Sequence, residues 1–411
     1  MLNKHRLMVP GPTPLPPGVT AAATLPMADE RTPEFAEVFT RVIRRLQHVL
    51  GTGNDVLMLT SSMTGAFESA VQNLFSPGER VLVLDNGLFG RRWVDMCRAF
   101  GLEVTELGAP WGSEIEPAAV ADALAADPGI TAVLCVHCET STGVVNDIRS
   151  CAAAARSARG PGDGVLVVVD AASGLGACEL RTDEWGVDVV VGGGQKALMT
   201  PPGMSFVSVS ERAWRRQAEA RLPRFYFDWS AAALAGRAEI PRTAWTPAIG
   251  VLVQMDAALA HLLDEGVEAA LERHVLLGRM ARGGFLGMGL RLLTPDRDAN
   301  ASVTAAYTPP GIDAERLVRH LADRFGLQMV AGSGAMADRI IRLGHCGYID
   351  PLDIVTALAG VELSLHAMGA PVQPGAGTAS AIQVLAHRGP GRLPQGALIA
   401  LAADHTEENH A

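Results

Sequence analysis

Val165-Leu-Val-Val-Val-Asp-Ala-Ala-Ser173 and Val187-Asp-Val-Val-Val-Gly-Gly-Gly-Gln-Lys-Ala-Leu-Met199 decide how this chain is read. Each opens with a short apolar, β-branched run that stops at polar or glycine residues. Such runs fit strands buried on both faces, as in parallel sheets covered by helices. The first run delivers Asp170 at its end, and the second delivers Lys196 after three glycines. Glycine lets the backbone come close to a ligand. Ligands of open α/β sheets bind beyond the carboxyl ends of the strands, where both residues emerge.

Composition singles out the same lysine. Of the 34 basic residues, only Lys4 and Lys196 are lysines. Arginine stays protonated in proteins, whereas a partly desolvated lysine can lose its proton. A lone interior lysine therefore points to chemistry that needs a primary amine. The alternative is a lysine held by a carboxylate for structural reasons, and composition alone does not separate the two.

Working outward, Phe35, Val38, Phe39, Val42 and Leu46 repeat at helical spacing and predict a helix from about 34 to 50. Short apolar strands are expected at 56–59, 80–84, 103–107 and 132–136. Helices alternate with them at 66–74, 91–100, 117–126 and 148–157. This alternation predicts an α/β fold with a mainly parallel sheet. Further helices are expected at 251–265, 267–288, 313–325 and 351–368, with strands near 302–307, 327–331 and 339–343. They fit a smaller α+β domain. The expected division is an arm over 1–20, a large domain over 21–264, a small domain over 265–370 and a Gly/Ala/Pro-rich tail over 371–411. The proline-rich Val9–Pro17 reads as irregular chain that needs another surface to pack on.

At 48% hydrophobic and 19% charged residues the chain is that of a globular protein. Its net charge of −10 argues against a nucleic-acid partner, which would want a basic face. No apolar run reaches the roughly 18 residues of a membrane span. Pro10, Pro12 and Pro14 fall where a signal peptide would carry its apolar core, so a cytoplasmic location is expected. The six cysteines are scattered, and Cys135-Val-His-Cys138 has no second ligand pair, so neither disulfides nor a metal is expected.

Thr60-Ser-Ser-Met-Thr-Gly65 follows a strand and opens a helix. It is a phosphate seat or a plain N-cap. Asp170 is a partner for a protonated ring nitrogen or a loop aspartate. No GxGxxG or GxxxxGK[ST] pattern is present, which speaks against dinucleotides and a P-loop. Taken together, a phosphate seat, a carboxylate and a lysine on one sheet edge match the needs of pyridoxal phosphate.

Val169-Asp-Ala-Ala-Ser173 with Gly193-Gly-Gln-Lys-Ala-Leu-Met-Thr-Pro-Pro-Gly203 resembles the class V, fold-type I pyridoxal-phosphate aminotransferases. The branch is the alanine–glyoxylate and serine–glyoxylate group. Pro10-Gly-Pro-Thr-Pro14, Asn86-Gly-Leu-Phe-Gly90, His137-Cys-Glu-Thr-Ser-Thr-Gly143 and Arg342-Leu-Gly-His345 extend the likeness over about residues 8–368. The resemblance implies a seven-stranded, mainly parallel sheet in the large domain. It implies that Lys196 is the Schiff-base lysine, with Gln195 beside the phosphate and Asp170 on the pyridine nitrogen. Ser62, Met63 and Thr64 would hold the phosphate. Thr140 would touch the ring's hydroxyl side, Ala172 would pack on the ring face and Phe89 would stack. Arg342 would bind the substrate carboxylate.

The resemblance also implies a homodimer with shared active sites. Thr243 and Thr246 would reach the partner's phosphate, and the arm would lie on the partner. The implied substrates are a small amino acid and a 2-oxo acid such as glyoxylate or pyruvate. Phe89 stands where tryptophan is common, Met63 where small residues are common and Thr243 where tyrosine is common, which leaves the substrate open. A specialised pathway or phosphonate transaminase and a lyase on the same fold are the alternatives. A desulfurase would need a loop cysteine in the small domain, where only Cys346 is available. His137 and Glu139 read as strand-end structural residues, with stacking or proton shuttling as the alternative, and Arg31, Arg91 and Arg92 as ordinary charged-face residues unless the substrate is acidic.

Overall fold

A computed structural model describes residues 4–158 and 164–387. The polar end of the expected tail lies outside the described residues. Seven strands form the main sheet: β1 (Asp55–Leu59), β2 (Arg80–Asp85), β3 (Glu103–Gly108), β4 (Ile130–Val136), β5 (Leu166–Asp170), β6 (Val189–Gly193) and β7 (Ser205–Val209). Their spatial order is β1-β7-β6-β5-β4-β2-β3. Strands β3, β2, β4, β5 and β6 are mutually parallel, and β7 runs antiparallel to both of its neighbours.

The apolar runs are buried on both faces, as their composition requires. Val133 and Cys135 of β4 and Val167 and Val169 of β5 pack with the helix Pro33–Leu50 on one side. Ala132, Leu134, Leu166 and Val168 pack on the other with Phe67 and Trp93, whose rings stack. This is the two-fold alternation of a strand.

Strand β7 is not marked by the apolar pattern, because Ser205 and Ser208 interrupt it. Both serines are fully buried, and Ser205 Oγ meets Ser61 Oγ at 2.7 Å. Residues 194–204 carry no helix, so β7 cannot cross over to run parallel and turns back beside β6.

A second layer of structure follows Gly266. The strands Val303–Tyr307, Val330–Ala331 and Ile340–Gly344 form an antiparallel sheet. The helices Val267–Gly287, Ala314–Phe325 and Pro351–Ala367 bury its apolar side around Leu277, Phe285, Leu321, Leu343 and Leu358.

Two segments differ from their expected form. The N-terminal arm packs on its own chain. Its backbone finds hydrogen bonds on its own chain, where Arg6–Leu7 pairs with Leu327–Gln328 and Met8 is buried in the small core. Pro17–Ala22 then forms a short helix, and Gln254 Nε2 donates to Val19 O at 3.1 Å.

The Gly/Ala-rich stretch after Gly369 contains a helix, Ala376–Ala386. Small residues let it pack closely. A Cβ at Gly377 would meet Gly284 O at 2.5 Å. Glu362, buried in the preceding helix, receives the amides of Gly375 and Thr378 at 3.1 Å each and that of Gly377. A negative side chain at a helix N-terminus satisfies amides with no partner inside the helix. Among the described residues no helix is long and apolar enough to cross a membrane.

Glu362→Ala should strip that cap. Hydrogen bonds to charged groups contribute about 1.5–3 kcal/mol each, so a loss of roughly 2–3 kcal/mol in unfolding free energy is expected. Hydrogen exchange should rise first at residues 375–386, and unchanged protection there would contradict the assignment.

Candidate active site

The loop after β6 is shaped by what approaches it. A Cβ at Gly193 would lie 2.5 Å from Met63 Sδ and 2.8 Å from Gln195 Oε1, and one at Gly194 would overlap Thr200 Oγ1. Beyond the loop Met199 sits at φ 57°, an uncommon and strained setting for a bulky residue. It is buried, and its amide donates to Lys196 O at 3.0 Å. Lys196 is thus held from both sides by fixed backbone.

The arm completes this hold. Pro10 O accepts a hydrogen bond from Lys196 Nζ at 2.9 Å, and Thr13 Oγ1 donates to Lys196 O at 2.8 Å. Gly11 has φ +148°, and a Cβ there would press on the lysine, 2.6 Å from Cε and 2.7 Å from Nζ. The amine has a carbonyl, not a carboxylate, as its hydrogen-bond partner. Burial lowers its pKa from the ordinary lysine value, and Arg342 acts in the same direction. Cys346, Cys138 and Asp170 oppose them.

Asp170 closes β5 and is 4% exposed. Its Oδ1 accepts the Ala172 amide at 2.9 Å. Burial raises its pKa to about 7, with the Ala172 bond opposing and Glu139 adding to the rise. Lys196 and Arg92 pull it down. A buried carboxyl poised near neutrality is a feature of functional sites.

Thr60–Gly65 forms the turn into the helix Met63–Leu74, with Ser62 at its N-cap. The Ser62 hydroxyl caps nothing, so the first amides keep their capacity for an anion. Met63 is buried against the Gly193 loop, while Ser62 and Thr64 are exposed. Phe89 lies in the first turn of the helix Leu88–Ala99 and is partly exposed.

Glu139, part of the His137–Gly143 motif, has a capping role that spacing did not show. It is fully buried and caps that helix, its Oε2 accepting the amides of Phe89 at 2.9 Å and Gly90 at 3.1 Å. Its other oxygen accepts from Ser141 Oγ at 2.6 Å. A Cβ at Gly87 would meet the Glu139 carboxylate carbon at 2.5 Å, which explains the glycine.

Arg342 projects from the strand Ile340–Gly344 back to the large domain. It donates to Ala331 O at 2.9 and 3.1 Å, Thr140 O at 3.0 Å and Ser333 Oγ at 3.1 Å. Among the described residues no carboxylate lies within ion-pair distance. Burial lowers its pKa, and Glu139 opposes that. Thr140 Oγ1 bonds Ser173 Oγ, and both are buried.

His137 is buried, and burial pushes its pKa down to about 4. The six cysteines are free and buried. Cys346, just past the strand Ile340–Gly344, is buried and packed with Cys138, Cys178 and Ala197.

Thr243 and Thr246 are not brought to Lys196 by any described contact. Thr243 Oγ1 donates to Trp245 O at 2.6 Å, and Thr246 Oγ1 reaches Glu30 at 3.4 Å. A cavity of about 1330 Å³ opens elsewhere, between His137, Trp185 and the helix Val267–Gly287. Neither Lys196 nor Arg342 lines it, and we assign it no part in the chemistry.

Comparison with known proteins decides the family. The model described as aminotransferase class-V matches residues 20–346. The chain belongs to the class-V aminotransferases. It is 36% identical over 390 residues to the "soluble hydrogenase 42 kDa subunit" of Anabaena cylindrica, covering 94% of this chain and 100% of that one. It is 34% identical to the serine–glyoxylate aminotransferase of Methylorubrum extorquens, covering 93% and 96%. The crystal structure of pyridoxamine–pyruvate aminotransferase from Mesorhizobium loti superposes with a TM-score of 0.89 at 28% identity, covering 94% and 98%. The chain is therefore an aminotransferase on the fold-type I scaffold, as the motifs implied.

The Asp170 carboxyl gives a test on the ligand-free protein. Its folded pKa, about 7, exceeds the unfolded aspartate value of about 3.9. Its stabilising contribution is therefore full below pH 4 and is lost as pH rises through 7. Relative to wild type, Asp170→Asn should gain stability steadily from about pH 4 to 7 and no further above that. Parallel urea midpoints across this range would contradict the buried, raised carboxyl.

Proposed function

We propose that the chain is a pyridoxal-phosphate aminotransferase that moves an amino group from a small amino acid to glyoxylate or pyruvate. The reading rests on one observation. A buried carboxyl, a half-buried amine with no carboxylate hydrogen-bonded to it and a guanidinium with no ion-pair partner face the same strand ends.

The residues fit the cofactor. Asp170 offers a carboxylate to a protonated ring nitrogen, because an opposite charge within about 4–6 Å favours the charged form. The uncapped start at Ser62, Met63 and Thr64, with Gln195 alongside, suits its phosphate. Phe89 would give a stacking face, Ala172 would pack on the ring, and Thr140 would lie on its hydroxyl side. When bound, the cofactor supplies an electron sink for the substrate's Cα electrons. Lys196 Nζ takes the Cα proton and returns it, a role worth about 10²–10⁴-fold. Arg342 keeps its charge without a carboxylate and holds the substrate carboxylate by a planar fork.

The same reading includes a cytoplasmic homodimer built on an arm, a large domain over 21–264 and a small domain from 265. Phe225 is 78% exposed and stacks on Trp245 at 5.2 Å, beside Thr243 and Thr246. An exposed aromatic cluster of this kind suits an interface that carries those threonines to the partner's phosphate.

A panel of amino donors with glyoxylate and pyruvate tests the reaction. Keto-acid product with at least one small donor is expected, and none from any pair would overturn it. Arg342→Lys keeps the charge but loses the fork, so KM for both substrates should rise roughly tenfold or more. An unchanged KM would remove Arg342 from the substrate site.

A further inference from the structure

Arg91 and Arg92 are neighbours in the helix Leu88–Ala99, yet their settings differ. Arg91 is tied to Asp85 at 2.5 Å and to Glu106 at 2.7 Å. Arg92 has no carboxylate within ion-pair distance among the described residues. Its guanidinium carbon lies 4.7 Å from the Phe89 ring centroid, and its NH1 donates to Thr64 Oγ1 at 3.3 Å. It is half-buried, while Arg91 is exposed.

This arginine touches two residues assigned to the cofactor, the stacking ring and the exposed threonine on the first turn of Met63–Leu74. A guanidinium laid on an aromatic face holds its charge with little water, and its remaining donors suit the oxygens of a phosphate. The local charge has an effect already, since Arg92 lowers the pKa of the buried Asp170 carboxyl.

We propose that Arg92 is a phosphate-binding residue of the cofactor site, reaching from the Phe89 helix to the Thr64 turn. The assignment rests on the pyridoxal-phosphate reading above. The backbone amides of a helix start supply partial charge only. Arg92 adds a full positive charge beside the Thr64 turn. It also links the phosphate to Phe89, so that anchoring one end of the cofactor holds the aromatic ring over the other.

The test compares pyridoxal phosphate with pyridoxal, which lacks the phosphate. Ligand-free wild type, Arg92→Gln and Arg92→Lys are titrated with each, and affinity is read by absorbance. Hydrogen bonds to charged groups predict that Arg92→Gln weakens pyridoxal phosphate roughly tenfold to a hundredfold. Pyridoxal affinity should stay within about twofold, and Arg92→Lys should recover part of the loss. Inorganic phosphate should raise the melting temperature of wild type more than that of Arg92→Gln, which checks the seat in folded protein without the ring. Equal weakening of both ligands would overturn the proposal, because Arg92 would then act through Phe89 alone. Unchanged affinity for both would overturn it too. If wild type took up neither ligand, the cofactor reading itself would fall.

Discussion

The site depends on keeping a carboxyl and an amine close together yet unpaired in a poorly hydrated place. Asp170 and Lys196 influence each other's protonation, but each bonds to backbone instead. Had they formed an ion pair, both would be spent. The carboxyl is held by the Ala172 amide at the end of β5, and the amine by the Pro10 carbonyl. The arm therefore helps to hold the amine: a side chain at Gly11 would collide with the lysine. The antiparallel return of β7 fixes the other side of the loop, so the lysine is placed by rigid elements rather than by its own rotamer.

The parts that carry the site were legible because they follow from local pattern. Buried parallel strands must be apolar, and polar residues at their ends have few structural reasons to be there. That logic located Asp170, the Thr60–Gly65 turn and Lys196. The resemblance then supplied Arg342, Phe89 and Thr140, which sit far apart in the chain and meet only in the fold. Arg342, on the strand Ile340–Gly344, reaches Thr140 O just past β4, and no spacing rule marks such a meeting.

What was not legible depended on tertiary context. Ser205–Val209 is a strand because its neighbours bury it and its connection is short, not because its sequence is apolar. The Ala376–Ala386 helix forms from glycines and alanines because Glu362 caps it and small residues let it pack. Glu139 looks like a stray acid until the helix that it caps is in place. Arg92 looks like a surface charge until Arg91 is seen to take Asp85 and Glu106 while Arg92 turns to Phe89 and Thr64. The arm's proline-rich composition asks for a surface to pack on, and Leu327–Gln328 of the same chain supplies part of it, a pairing no local pattern marks.

The central claim is that Lys196 is the amine that engages the cofactor. The chain's two lysines make it directly measurable: incubate the protein with pyridoxal phosphate, reduce with borohydride and map the label by peptide mass spectrometry. The account predicts stoichiometric label on Lys196 and none on Lys4. Label on Lys4, or none on Lys196, would contradict it.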